Sequence, residues 1–303
     1  MKIFLTGGTG FIGRSLTHLL VQRGHSVIIL TRHPEKRDLF QQDVSFVEGD
    51  PTKAGRWQER LKESEVVVNL AGASIFARWT KTNKQNILDS RILTTRHIVD
   101  ALSQRKQSEV HLINASAIGY YGFHQDEPLN ENSPPGSDFL ASVTKRWEAE
   151  ALKAEAFNVR VVVCRFGIVL GRKGGALSKL LPVFKFGLGS RLGNGKQWFS
   201  WIHEKDLANV LLYVLLHEDL KGPVNCTAPH PVRNREMTKI LGTVLKRPTV
   251  LPLVPSLVLK MMLGEFAESL LRGQRVIPAK LEALNYRFLF PEIQQALKNL
   301  CLD

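Results

Sequence analysis

Thr6-Gly-Gly-Thr-Gly-Phe-Ile-Gly13 follows directly on the apolar run Ile3 to Leu5 and opens an amphipathic segment. A strand feeding a glycine turn and then a helix is the unit that seats the pyrophosphate of a dinucleotide. The glycines make the tight turn, let the backbone approach phosphate and pack helix closely on strand. The helix start then offers free N–H groups and the positive end of its dipole. The spacing reads as Gly8-x-Gly10-x-x-Gly13 or as Gly7-x-x-Gly10-x-x-Gly13. Gly7, Gly10, Phe11, Ile12 and Gly13 are the expected phosphate contacts. The competing reading is a purely structural turn, against which the preceding strand and following helix both argue.

Short β-branched runs alternate with longer helical patterns through the first half, which predicts a parallel sheet covered by helices. Strands are predicted over Lys2 to Thr6, Ser26 to Thr31, Val44 to Glu48, Val66 to Leu70, Val110 to Ala115 and Val159 to Arg165. Helices are predicted over Phe11 to Arg23, Thr82 to Gln104 and Ala141 to Ala156. The near-continuous apolarity of Val66-Val-Val-Asn-Leu fits a strand buried on both faces. After Arg165 the regularity fades into glycine-rich turns, apart from a helix over Asp206 to His217. The expected fold is an α/β doubly wound Rossmann sheet over 1–170, with a smaller, mixed substrate-binding region over 171–303 whose segments can interleave with it.

A chain of 303 residues can bury a substantial core, and 44% hydrophobic with 23% charged residues is ordinary for a globular protein. Cys164, Cys226 and Cys301 are widely spaced, which suits a reducing compartment and supplies no metal cluster. The N-terminal apolar stretch stops at Leu5, too short for a secretory leader, so a cytoplasmic location is expected. The most lipophilic tract, Val250 to Leu263, is interrupted by Pro252, Pro255 and Lys260. It reads as a buried segment plus an amphipathic helix rather than as a membrane element. The net charge of +13 is spread among acidic neighbours, without an arginine-rich arm or zinc knuckle. Nucleic acid is therefore not expected as a partner. Monomer and homodimer both stay open.

Motif order then narrows the family. The glycine turn, Asn69-Leu-Ala-Gly72, Ser116-Ala-Ile-Gly-Tyr-Tyr-Gly122, Arg165-Phe-Gly-Ile-Val-Leu-Gly171 and Trp201-Ile-His-Glu-Lys-Asp206 resemble the extended short-chain dehydrogenase/reductases, which include sugar-nucleotide epimerases and dehydratases. The similarity covers nearly the whole chain. Arg78-Trp, Ser90-Arg91, Gly187-Leu-Gly and the tail Arg272-Gly-Gln-Arg-Val-Ile-Pro278 resemble an atypical epimerase-like subfamily. The resemblance implies an NAD(P)-dependent oxidoreductase or epimerase-like reaction on a small substrate of unknown identity.

The end of the second strand selects between cofactors. A carboxylate there would bind the adenosine ribose and repel a 2′-phosphate, but this strand ends Leu30-Thr31-Arg32-His33. Arg32 can pair with the phosphate and Thr31 can hydrogen-bond to it, which points to NADP (NADPH). Leu70 and Ala71, where small residues let the backbone approach, are expected beside the cofactor. The resemblance adds Val169 near the nicotinamide, and Asn86 and Arg91 as cofactor contacts. Those two lie five apart, on different faces of a helix.

The family's proton relay is missing. Its active members use a tyrosine with a lysine four residues later, because a phenol of pKa near ~10 needs a nearby cation to act at neutral pH. Four residues before Lys145 stands Ala141, flanked by Leu140 and Ser142. Ala117 stands where the family carries serine or threonine. Ser116, Tyr120 and Lys145 are the candidate catalytic residues, with Tyr121 alongside; packing beneath the cofactor, for the tyrosines, and solvent exposure, for Lys145, are the competing readings. His203 reads as a structural or pocket residue, and Trp198, Phe199 and Trp201 as pocket lining or core. A non-catalytic NADPH-binding sensor is the alternative to an enzyme.

Overall fold

Seven strands rich in β-branched residues pair in parallel in a computed structural model, which describes residues 1–33, 35, 40, 43–105, 110–249, 251 and 253–302. They are β1 (Lys2–Thr6), β2 (Ser26–Thr31), β3 (Val44–Glu48), β4 (Val66–Asn69), β5 (Val110–Ala117), β6 (Val159–Phe166) and β7 (Gly222–Cys226), in the order β7-β6-β5-β4-β1-β2-β3. The chain winds away from β1 in both directions, so the crevice between β1 and β4 opens at the strands' carboxyl ends. That is where an open α/β sheet binds ligands.

Side-chain alternation divides the core. Ile3 and Leu5 of β1 face one side, where α1 (Phe11–Gln22) contributes Leu16 and Leu20. Phe4 faces the other, with Trp57 of α2 (Trp57–Lys62), Ile98 of α3 (Lys81–Ser103) and Ala151 of α4 (Phe139–Leu152). Thr80 and Asp138 cap α3 and α4 by accepting from Asn83 N and Ala141 N. The doubly wound sheet predicted from the sequence is present, and its first six strands lie within two residues of the predicted bounds.

The segment after residue 170 returns to this sheet. Beyond α5 (Leu177–Lys185), α6 (Glu204–Leu216) lays Leu207 and Leu211 on the same face as α1, and β7 pairs along β6. The sequence reading missed β7 because it begins Gly222-Pro223. At a sheet edge a proline's missing N–H is tolerated. The remaining elements are short: Ile168–Leu170 beside Trp201–His203, Trp198–Phe199 beside Val232–Arg233, and Pro128–Leu129 beside Arg275–Val276. Helices α7 (Asn234–Leu245), α8 (Ser256–Leu263) and α9 (Phe266–Leu271) follow.

The lipophilic tract behaves otherwise than expected. Residues 250 and 252 lie outside the described residues, but Leu251 and Leu253 are exposed and α8 buries Leu259 alone. Among the described residues no helix is long and apolar enough to cross a membrane.

Candidate functional site

The glycine turn is shaped by contacts that exclude side chains. Gly7 has φ of 71°, a left-handed conformation that suits glycine. A Cβ on Gly13 would stand 2.2 Å from the Gly7 carbonyl oxygen, and one on Gly8 would stand 2.8 Å from the Ile29 side chain. Gly10 N donates to Gly7 O at 3.0 Å and caps α1 without any side-chain bond, leaving the first N–H groups of the helix to face the crevice. The first turn of α1 holds no acidic residue. Ile12 packs on the core. The Phe11 ring lies under the 171–175 loop: a Cβ on Gly171 would fall 2.1 Å from its Cζ, and one on Gly174 2.3 Å from its Cγ. This contact draws the loop after Val169 against the glycine turn.

A buried polar brace holds the floor. Thr6 Oγ1 donates to Asn69 Oδ1 at 2.6 Å, and Asn69 Nδ2 donates to Asn114 Oδ1 and to Thr95 Oγ1, which also accepts from Trp147 Nε1. It ties β1, β4 and β5 to α3 and α4. Leu70 N donates to Thr6 O at 3.1 Å, setting Leu70 and Ala71 directly beside Gly7.

At the end of β2, Thr31 is buried and its hydroxyl accepts from His33 N at 3.0 Å. The turn so closed leaves Arg32 exposed. Asp50, after β3, was missed by the sequence reading although Gly49-Asp50 ends that strand. Burial pushes its carboxyl up, yet the Thr52 hydrogen bonds and the nearby Arg32 charge hold it below the usual carboxylate range. Asn86 is exposed on α3. Arg91 turns inward, its Nη1 donating to Ala73 O at 3.1 Å and Ile87 O at 2.9 Å, its guanidinium 5.1 Å from the Trp147 ring. Burial lowers its pKa to about 10. The helix thus separates these two residues.

Of the candidate catalytic groups, Ser116 and the two tyrosines gather around Arg165, and Lys145 does not. Ser116, 2% exposed, donates its hydroxyl to Glu148 Oε1 at 2.6 Å. Arg165 grips both Glu148 oxygens at 2.9 and 2.8 Å and donates to the Tyr121 hydroxyl at 2.9 Å. Burial works against the Arg165 charge, but the Glu148 bonds raise its pKa further above the usual guanidinium range. Tyr121 is fully buried, donates to Asn225 Oδ1 at 2.7 Å and has its pKa pushed up to about 12 by burial. Tyr120 is half-buried, with the Arg165 guanidinium 3.5 Å over its ring. Lys145 is exposed.

At the place of the missing tyrosine the structure distinguishes three neighbours. Ala141 is buried and Ser142 exposed, while Leu140 faces the strand end, 3.2 Å from where a Gly119 Cβ would be. One turn on, Thr144 donates back to Leu140 O at 2.8 Å. Leu140 joins Ile75, Leu263 and Leu270 in an apolar cluster around Trp79 and Phe266.

His203 is sealed in the core, accepting from Lys205 N at 3.0 Å as the cap of α6 and stacking on Phe290; burial lowers its pKa to about 4. Phe199 and Trp201 are core residues, and the Trp201 indole donates to His230 O. Trp198 is half-buried between Arg233 at 3.9 Å and Arg275 at 5.1 Å, and donates to Asp126. Among the described residues no group of His, Cys, Asp and Glu gathers that could hold a metal ion.

Residues 3–226, ending with β7, match the NAD dependent epimerase/dehydratase family, and residues 254–300 match a domain of unknown function, DUF1731. The chain is 41% identical over 300 residues to "Epimerase family protein SDR39U1 homolog, chloroplastic" of Arabidopsis thaliana, covering 98% of this chain and 86% of the relative. It is 40% identical over 304 residues to "Epimerase family protein YfhF" of Bacillus subtilis, covering 100% and 99%. Its structure superposes on a crystal structure of human epimerase family protein SDR39U1 (isoform2) with NADPH, with a TM-score of 0.87, 34% identity and full coverage of both chains.

Proposed function

We propose, for a chain that belongs to the NAD dependent epimerase/dehydratase family, that it binds NADP(H) and uses it in an oxidoreductase or epimerase-like reaction without the family's tyrosine–lysine relay. The observation that carries the cofactor reading is the Gly7–Gly13 turn, whose close contacts exclude side chains at Gly8 and Gly13 and whose helix start has no side-chain cap and no acidic residue. Its relative was crystallised with NADPH, and Arg32, exposed at the end of β2, supplies a cation for a 2′-phosphate. Asp50, beside Arg32, is the adjacent polar group for the adenosine. Leu70, Ala71 and Val169 line the path to the reactive end, and inward-turned Arg91 offers a guanidinium that, among the described residues, has no carboxylate on it. Asn86 is left as a peripheral contact. The bound cofactor would supply or accept hydride.

On the substrate side, Arg233 and Arg275 flank Trp198; Arg233 is paired with Asp126, so Arg275 leaves that wall one net positive charge, which favours a small anionic substrate. Tyr120 is our candidate proton donor, because its half-buried ring stands just past the end of β5 with the Arg165 guanidinium 3.5 Å from its centre. Ser116 positions that guanidinium through Glu148, and Lys145 is retained as a ribose contact. Three free cysteines suit a reducing compartment such as the cytoplasm. Screening carbonyl compounds and sugar nucleotides while following nicotinamide absorbance tests the reading: turnover lost in Tyr120→Phe supports it. The second reading, an NADPH-binding sensor, is favoured by the apolar packing of Leu140. Cofactor binding without turnover across the panel would select it.

A further inference from the structure

More than half of the exposed large hydrophobic side chains recorded among the described residues lie in two short segments, 183–188 and 251–262. Phe186 is 81% exposed, Leu257 67% and Met262 68%, with Leu188 and Met261 close behind. They are not scattered singly. Val254 N donates to Arg191 O and Gly193 N to Val254 O, both at 3.0 Å, and Ser190 Oγ donates to Leu251 O. The chain just beyond α5 and the approach to α8 are thereby laced together, which brings their exposed apolar side chains, here called the ridge, into one neighbourhood.

The two stretches that carry this ridge are basic. Residues 171–203 contain six Lys and Arg and no Asp or Glu; residues 237–264 contain four and none. Lys179, Lys185, Arg191, Lys246 and Arg247 are exposed. Of the carboxylates that border these stretches, Glu265 and Glu268 are paired with Lys84, Lys260 and Arg272, Glu204 is half-buried, and Glu236 is exposed on α7. An exposed apolar patch of this kind marks an interaction surface. Apolar side chains rimmed by lysine and arginine, on helices too short to span, match the physics of insertion into an interface with negative headgroups. A water-facing apolar partner would not call for the basic rim.

We propose that the ridge of Phe186, Leu188, Leu257, Met261 and Met262, with its rim of lysine and arginine, docks the protein reversibly onto an anionic lipid bilayer. The chain then lies on the membrane and does not cross it. This inference is independent of the cofactor reading.

The test is co-sedimentation of the full chain with vesicles of phosphatidylcholine alone and of phosphatidylcholine mixed with phosphatidylglycerol. The mixed vesicles should bind at least about tenfold more protein, and high salt should release it. Met261→Glu with Met262→Glu, and separately Lys185→Glu with Arg191→Glu, should each lose that binding while keeping the parent's thermal midpoint and cofactor affinity. No preference for the anionic vesicles, or binding unchanged in both variants, overturns the proposal. Light scattering that finds a dimer split by Met261→Glu with Met262→Glu overturns it in favour of a second copy of this chain.

Discussion

Ser116 donates a hydrogen bond from its hydroxyl to Glu148 Oε1 at 2.6 Å, and Glu148 in turn holds both arms of Arg165. A serine next to the expected catalytic position is thereby committed to a buried ion pair. Removing one partner of such a pair strands the other charge in the core. Glu148→Ala should cost about 3–5 kcal/mol of stability in urea titration. Ser116→Ala, which removes one hydrogen bond to the same carboxylate, should cost about 1 kcal/mol. Equal and small losses would remove Glu148 as the anchor.

Two glycines should respond differently to the same methyl group. At Gly13 a Cβ would collide with the Gly7 carbonyl at 2.2 Å, whereas at Gly24 nothing lies within 4 Å and the sole obstacle is a φ of 76°. Gly24→Ala should therefore cost about 1–2 kcal/mol and leave cofactor affinity intact. Gly13→Ala must shift the turn itself, so it should abolish NADPH binding and destabilise by about 3 kcal/mol or more. Denaturation curves paired with fluorescence titration read both quantities.

Arg32 should decide between the two nicotinamide cofactors. Charged hydrogen bonds to a phosphate are worth about 1.5–3 kcal/mol, so Arg32→Ala should weaken NADPH about 10- to 100-fold and leave NADH nearly unchanged. A parallel loss for both cofactors would mean that Arg32 supports the turn and not the phosphate.

His203 makes stability depend on pH. Its folded pKa, about 4, lies below the 6.5 of an unfolded histidine because the ring is buried. Between those values the unfolded chain binds more protons than the folded one, so stability falls as pH drops from 6.5 and the loss is complete below 4. The shift corresponds to about 3 kcal/mol. Asp206 and Glu204, raised by burial, oppose this in the acidic part of the window. His203→Asn keeps a cap for α6 without the titration, and should flatten urea midpoints between pH 6.5 and 5 relative to the parent.

Where local geometry dictates residue type, the sequence was readable. Gly7 to Gly13 declare a turn, and runs such as Val66-Val-Val declare a strand buried on both faces, because no distant partner is needed to make them necessary. β7 escaped because Gly222-Pro223 carries turn chemistry and only pairing with β6 makes it a strand. The Ser116–Glu148–Arg165 brace joins residues far apart in the chain, so no spacing announces it. Asp50 carries no motif of its own, and only the pairing of β3 with β2 sets it near Arg32. The tract 250–263 looked fit for burial by hydropathy, yet α8 turns a single residue, Leu259, inward.

Calorimetric titration of the folded protein with NADPH, and separately with NADH, meets the central claim head-on. NADPH should release heat at a single site, and NADH should bind markedly more weakly. Absence of heat from both nucleotides, in protein whose melting curve reports a folded chain, would contradict that claim.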